Sequence, residues 1–300
     1  MIQSGMRLTQ RWSAAILLLI AAVTYTPVYR PIIFSDDWSY FVLPMAQRSL
    51  SWFDAADRRP LIDAPAMILQ ALVGLNIDGF YVIAWLVTIA IGWQLYWVLQ
   101  QLLPQRRAIA LLVAALTLIY PADLSQMWLT HTLVGRVAWL MTLWAMSGLI
   151  LFLERRNYAY LAAATGLAVV APLLYEAALG MLLALCALLA IWSDKAPWRY
   201  RRWVLLPAVL NAAYMLWRSL GYKIVGIDDP YLTEITLDAG RLIDRMILGF
   251  KSLLWGWTEP VRSGLSLPSN LLAGILIVAT IGGLWVLIVW VTRRPTARPV

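Results

Sequence analysis

Long apolar runs separated by short polar stretches set the pattern of this chain. Runs of that length predict membrane-spanning helices at Trp12 to Tyr29, Tyr81 to Leu103, Ala108 to Tyr120, Val137 to Leu153, Tyr158 to Leu174, Ala177 to Trp192, Val204 to Tyr222 and Leu271 to Val291. The third and sixth runs are shorter than the ~20 residues a span needs, so their helices are expected to extend into flanking turns or to pack at a thinner point. Another run, Pro65 to Leu75, is too short to cross and predicts an interfacial or re-entrant helix. The predicted fold class is therefore all-α: a polytopic transmembrane helical bundle of about eight spans, with short interfacial helices in the outer loops.

Composition supports a lipid solvent. Hydrophobic residues make up 62% and charged residues 13% of the 300-residue chain, against about 25% charged in soluble domains. The apolar runs recur too often to leave room for a separate soluble domain. Instead the chain divides into a transmembrane module over residues 1–222 and a segment over 223–300 that carries a second long loop, the last span and a basic tail. Trp12, Trp38, Trp128, Trp198 and Trp203 fall near predicted helix ends, as an interfacial aromatic belt requires. Cys186 is the lone cysteine, so no internal disulfide forms.

Charge then orients the bundle. With the N-terminus inside, the cytoplasmic segments hold 13 of the 24 basic residues, among them Arg106, Arg107, Arg155, Arg156, Arg201 and Arg202, and only two of the 16 acids, Glu154 and Asp194. This asymmetry places both termini in the cytoplasm and predicts a multi-pass protein of the cytoplasmic (inner) membrane. Arg7 and Arg11 resemble the basic start of a signal peptide, but Tyr25-Thr26-Pro27-Val28-Tyr29 is a poor cleavage site, so the first span is expected to stay. The net charge of +8 comes with no zinc spacing or RNA-binding signature, and the basic residues sit between apolar runs, which argues against a nucleic-acid partner. Membrane lipids are the expected surroundings, and Lys223, Arg241, Arg245 and Lys251 of the last outer loop are candidates for headgroup contacts.

This topology gathers ionisable side chains on the outer face. Two outer loops are long, 30–80 and 223–269. Asp123, His131 and Arg136 lie between the third and fourth spans, Tyr175-Glu176 between the fifth and sixth, and Arg218 near the outer end of the seventh. Such groups are costly near lipid and mark a functional site where they cluster, although each alone fits a snorkelling helix-end residue equally well. The densest signal is Phe34-Ser35-Asp36-Asp37-Trp38, followed by Arg58-Arg59-Pro60-Leu61. Adjacent carboxylates repel, which leaves one of them a proton acceptor, or lets both bind a cation or sugar hydroxyls. The competing account is a helix start, with Ser35 as cap and Asp36 and Asp37 in the first turn favouring the dipole.

Asp36-Asp37 directly after the first span, Arg59-Pro60-Leu61 ahead of an interfacial helix, and Tyr175-Glu176 at the start of a later span together resemble membrane glycosyltransferases of the GT-C superfamily, and most closely the bacterial O-antigen glucosyltransferase type. The resemblance covers roughly residues 10–222. Members usually carry more spans and a further outer domain, so it does not locate an acceptor site. It implies transfer of a sugar from a polyprenyl-phosphate (undecaprenyl-phosphate) donor to a glycan or lipid acceptor on the outer face. Asp36 or Asp37 would take the acceptor's hydroxyl proton. Phosphate is a good leaving group that needs cations, for which Arg58, Arg59, Arg136 and Arg218 are candidates, Arg59 foremost. Glu176 and His131 would hold sugar hydroxyls or orient the base, though a solitary histidine is more often a packing or capping residue.

No cofactor is required by this scheme. Mg²⁺ or Mn²⁺ could bind Asp36 and Asp37 only with water or substrate completing the shell. A nucleotide-sugar enzyme is disfavoured by the lack of a glycine-rich phosphate loop. A transporter or flippase would show charges at mid-membrane and inverted repeats, and neither is visible. A non-catalytic subunit of an envelope-glycan assembly is the remaining alternative.

Overall fold

The computed structural model describes residues 12–22, 37–47, 59–104, 106–119, 129, 131–192, 196–225, 240, 244, 247, 248 and 282. Among these every regular element is helical. We number them α1 (Trp12–Ala22), α2 (Leu43–Gln47), α3 (Ala64–Val73), α4 (Ile77–Leu102), α5 (Arg107–Leu118), α6 (Val137–Arg155), α7 (Tyr158–Leu174), α8 (Ala177–Trp192), α9 (Trp198–Arg201) and α10 (Leu206–Val225). Wider π-helical turns, Trp38–Val42 and His131–Arg136, lead into α2 and α6, and a 3₁₀ turn, Arg202–Leu205, leads into α10. The described residues up to Asn211 form one compact unit, and those from Ala212 on belong to a second.

Local chemistry sets the helix limits. Pro65 occupies the first turn of α3, where its missing N–H costs nothing, and Gly74 closes that helix at φ 62, a conformation glycine adopts freely. Asn76 then caps α4 by accepting from the Gly79 amide at 3.2 Å, which starts the helix four residues before the apolar run predicts. Residues Arg156 and Asn157 form the entire link between α6 and α7. Arg156 turns the chain with φ 56, a left-handed conformation that costs a non-glycine residue about 1–2 kcal/mol, and Asn157 caps α7 on the Ala159 amide at 2.9 Å.

The two-residue link makes α6 and α7 antiparallel neighbours, and small residues let them close. A methyl group added at Gly148 would lie 2.9 Å from the Ala164 Cβ and 3.2 Å from the Tyr160 carbonyl oxygen, so the close approach depends on glycine there. Gln94 of α4 donates to Ser147 of α6, joining a further pair of helices through an amide and a hydroxyl. Pro172, inside the last turn of α7, cannot donate to the Ala168 carbonyl. The buried Asn211 of α10 replaces that donor, its Nδ2 lying 3.0 Å from the Ala168 oxygen.

The core consists of separate clusters along the bundle. One gathers Phe41, Met45, Ile62, Leu69, Phe80, Leu133, Val134 and Leu174 where α6 begins and α7 ends. Another gathers Val98, Phe152, Leu161, Leu189, Val204 and the buried Cys186 where α6 ends and α7 begins. The first holds the candidate site.

Comparison with the expected spans is uneven. Helices α7 and α8 match the expected bounds, and α3 matches the short non-spanning run. Among the described residues two helices, rather than eight, are long and apolar enough to cross a membrane: α4, and the 24-residue stretch Thr132–Arg155 that contains α6. The expected fourth span is thus longer than its apolar run, because the turn through His131–Arg136 joins it. The third is not: α5 stops at Leu118 after 12 residues, only ~18 Å of helix. The expected last span, Leu271 to Val291, lies outside the described residues apart from Gly282. Only 33% of the most apolar window of α4 is buried. Its exposed Val82 and Leu86, together with Trp139 and Trp144 on α6, form apolar surface of the kind that lipid covers.

Candidate functional site

The chain brings two sequence candidates into direct contact across 117 positions. Arg59 donates from Nε to one Glu176 carboxylate oxygen at 2.6 Å and from Nη2 to the other at 3.0 Å, a bidentate pair. Both side chains are about a quarter exposed, 25% and 23%, so the pair stands at the edge of the packed cluster. The Arg59 guanidinium also lies 4.5 Å from the centre of the Tyr175 ring, which fixes its plane by cation–π attraction.

Backbone geometry holds these residues in place. The Leu61 amide donates to the Leu173 carbonyl at 3.2 Å, satisfying one of the orphan acceptors at the C-terminus of α7. The Ile62 amide returns to the Arg59 carbonyl at 2.9 Å, closing a tight turn around Pro60. Arg-Pro-Leu is therefore a plug against the end of α7, and Tyr175-Glu176 is the link from α7 to α8 that the plug meets. The turn before α6 approaches the same ring, since a methyl at Gly135 would lie 3.8 Å from Tyr175.

Asp37 is wholly buried, at 0% exposure. Its backbone is helical and its side chain makes no capping hydrogen bond to the turn it precedes. Full burial separates it from the solvent-facing first-turn acid that favours a helix dipole at little cost, because a buried carboxylate must be compensated by its surroundings. Phe41 and Met45, one and two turns further on, belong to the cluster that also contains Ile62, Val134 and Leu174. Four segments far apart in sequence, those carrying Asp37, Arg59, Arg136 and Glu176, thus pack on one apolar cluster.

Arg136 differs from its expected place in an exposed outer turn. It is buried, and its Nη1 donates to the Thr88 hydroxyl at 2.7 Å, while that hydroxyl donates to the Ala84 carbonyl at 3.0 Å. Thr88 lies near the middle of α4, so the guanidinium reaches inward along the helix. The reason is local: the π-helical turn His131–Arg136 continues into α6 and carries Arg136 inside the bundle.

Other expected site residues divide as follows. Asp36, Arg58 and Asp123 lie outside the described residues. His131 begins the turn into α6. Arg218 lies on α10 in the second unit. Among the described residues no three His, Cys, Asp or Glu side chains group to hold a metal ion. Sequence reasoning overlooked the roles of Tyr175, Thr88 and Asn211. Thr88 and Asn211 carried a signal, a polar side chain within an apolar run, where an unmet hydrogen bond would be costly.

Chemically, the site offers a guanidinium of fixed orientation, a carboxylate that engages two of its five N–H donors, and a buried carboxyl on the same cluster. No family model, curated protein or solved structure matches the chain.

Proposed function

We propose that the chain is a multi-pass membrane glycosyltransferase of GT-C type, in the cytoplasmic membrane with both termini cytoplasmic, which moves a sugar from a polyprenyl-phosphate donor to a glycan or lipid acceptor at the outer face. The observation that carries this reading is the bidentate Arg59–Glu176 pair, stacked on Tyr175 at one end of an apolar helical bundle. The acceptor hydroxyl attacks the anomeric carbon, the bond from that carbon to the phosphate oxygen breaks, and the hydroxyl proton passes to Asp36 or Asp37. The departing polyprenyl phosphate meets Arg59, whose planar cation suits phosphate oxygens. Glu176 is then a positioning residue that holds the guanidinium plane. Eight spans complete the proposed topology.

The test is sugar transfer by the purified protein supplied with a polyprenyl-phosphate sugar and a hydroxyl acceptor. Asp36→Asn, Asp37→Asn and their double variant should retain folding, and at least one single change should abolish most of the transfer. Full activity in all three would end the general-base assignment.

A transporter or flippase is the second reading, and Arg136 favours it, because a charged group bonded to mid-helix Thr88 on an irregular helix start resembles a substrate pathway. Flux of a labelled lipid-linked sugar into sealed vesicles without any transfer product would select that reading.

A further inference from the structure

The end of the bundle remote from Arg59 carries five arginines from two segments, and each lies against an aromatic ring. Arg155 is 5.4 Å from the centre of the Tyr160 ring, Arg201 5.6 Å from Trp198, and Arg202 5.7 Å from Trp203. Two of the five share one ring: Arg156, in the link between α6 and α7, is 5.7 Å from the centre of Tyr200, and Arg199 of α9 is 5.0 Å from it. Phe152, 6.2 Å from Tyr200, ties that ring to the core beneath.

Two guanidinium groups on a single ring concentrate positive charge at one place, and a bound anion offsets it. Arg156 adds a second, independent observation. It adopts φ 56, the left-handed turn that glycine or asparagine usually supplies after a helix. An arginine kept there at a backbone cost points to use of its side chain. The surroundings also determine the kind of anion. Trp198 is 58% exposed and Tyr158 54%, so large apolar rings stand out beside the charges, as they do where a protein meets a headgroup layer. No acid occurs in residues 196–205, and against the five arginines the described residues at this end include one acid, Glu154.

We propose that this end is a docking surface for the phosphate headgroups of anionic phospholipids, with Arg156 and Arg199 flanking Tyr200 as its central pair. Guanidinium groups offer two parallel donors to a phosphate diester, and the exposed tryptophans enter the adjoining apolar layer. A soluble phosphate would use only the first of these features. The proposal is independent of the glycosyltransferase reading and holds equally for a transporter.

The full-length protein, purified in a neutral detergent, is titrated with phosphatidylglycerol, phosphatidylcholine or inorganic phosphate while its thermal unfolding is followed. Phosphatidylglycerol should raise the midpoint, and the other two should not. Arg199→Gln and Arg156→Gly should each weaken the response to phosphatidylglycerol about fivefold. Arg156→Gly is decisive because glycine relieves the backbone: without lipid its midpoint should equal or exceed that of the wild type, so weakened lipid binding cannot be ascribed to a damaged fold. Equal responses to the two lipids, a matching response to inorganic phosphate, or an Arg156→Gly variant that titrates like the wild type would each overturn the proposal.

Discussion

The two ends of the α6–α7 hairpin hold arginine in opposite ways. Where α6 begins and α7 ends, Arg59 grips Glu176 through two donors and Arg136 is buried against Thr88. Where α6 ends and α7 begins, five arginines lie on aromatic rings, with Arg155, Arg156, Arg199 and Arg202 exposed. A forked ion pair has one orientation, whereas a guanidinium on a ring at a wet surface has several. The first end therefore suits chemistry that needs fixed groups, and the second suits a fluid, charged surface. Between them runs α6, whose 19 residues span ~28 Å at 1.5 Å per residue, close to a hydrocarbon layer of about 30 Å.

The sharpest way to break this division is catalytic. At least one of Asp36→Asn and Asp37→Asn should lower sugar transfer by ~10²–10⁴-fold, the usual worth of a general base. Arg199→Gln, at the other end, should leave transfer rates unchanged in detergent. Equal losses at both ends would show that the variants report stability, not chemistry.

Smaller but still distinct effects are expected on stability. Glu176→Ala removes the carboxylate that pairs with the half-buried Arg59 and should cost about 1.5–3 kcal/mol in denaturant unfolding, the range for hydrogen bonds to charged groups. Arg59→Lys should keep part of that stability while reducing transfer, because an ammonium lacks the fork. A result in which Arg59→Lys loses stability but not activity would make the pair a structural clamp alone.

Asn211 links α10 to the helix that presents Glu176. Asn211→Leu leaves the Ala168 carbonyl without its side-chain donor and should cost about 1–3 kcal/mol. Pro172→Ala restores a backbone N–H four residues beyond Ala168, so the double variant should be less damaged than the sum of the single changes, with a coupling of about 0.5–3 kcal/mol. Additive effects would show that proline and asparagine are unrelated. The smallest effect belongs to the exposed end: Arg202→Gln should change stability by no more than about 0.5 kcal/mol.

Much of the helical layout was legible in sequence because its causes are local. The bounds of α7 and α8 follow from two apolar runs with the polar Tyr175-Glu176 between them. The motif residues Arg59 and Glu176 were both legible as candidates. Their mutual contact was not, since one was expected on phosphate and the other on sugar hydroxyls or the base, and the structure joins them to each other.

What the sequence determined by itself was the all-helical class, the apolar character of its helices and the short list of polar groups to explain. Each depends on residues within one or two turns of each other, where hydrophobic runs and caps act. Only the tertiary structure decided that Asp37 is buried, that Arg136 turns inward to Thr88, and that Asn211 serves the carbonyl freed by Pro172. The hydrogen-bonded pairs among these outcomes join positions 43 and 48 residues apart. Such partners are selected by packing, because a polar group enclosed among apolar side chains must take whichever donor or acceptor the fold brings within about 3 Å.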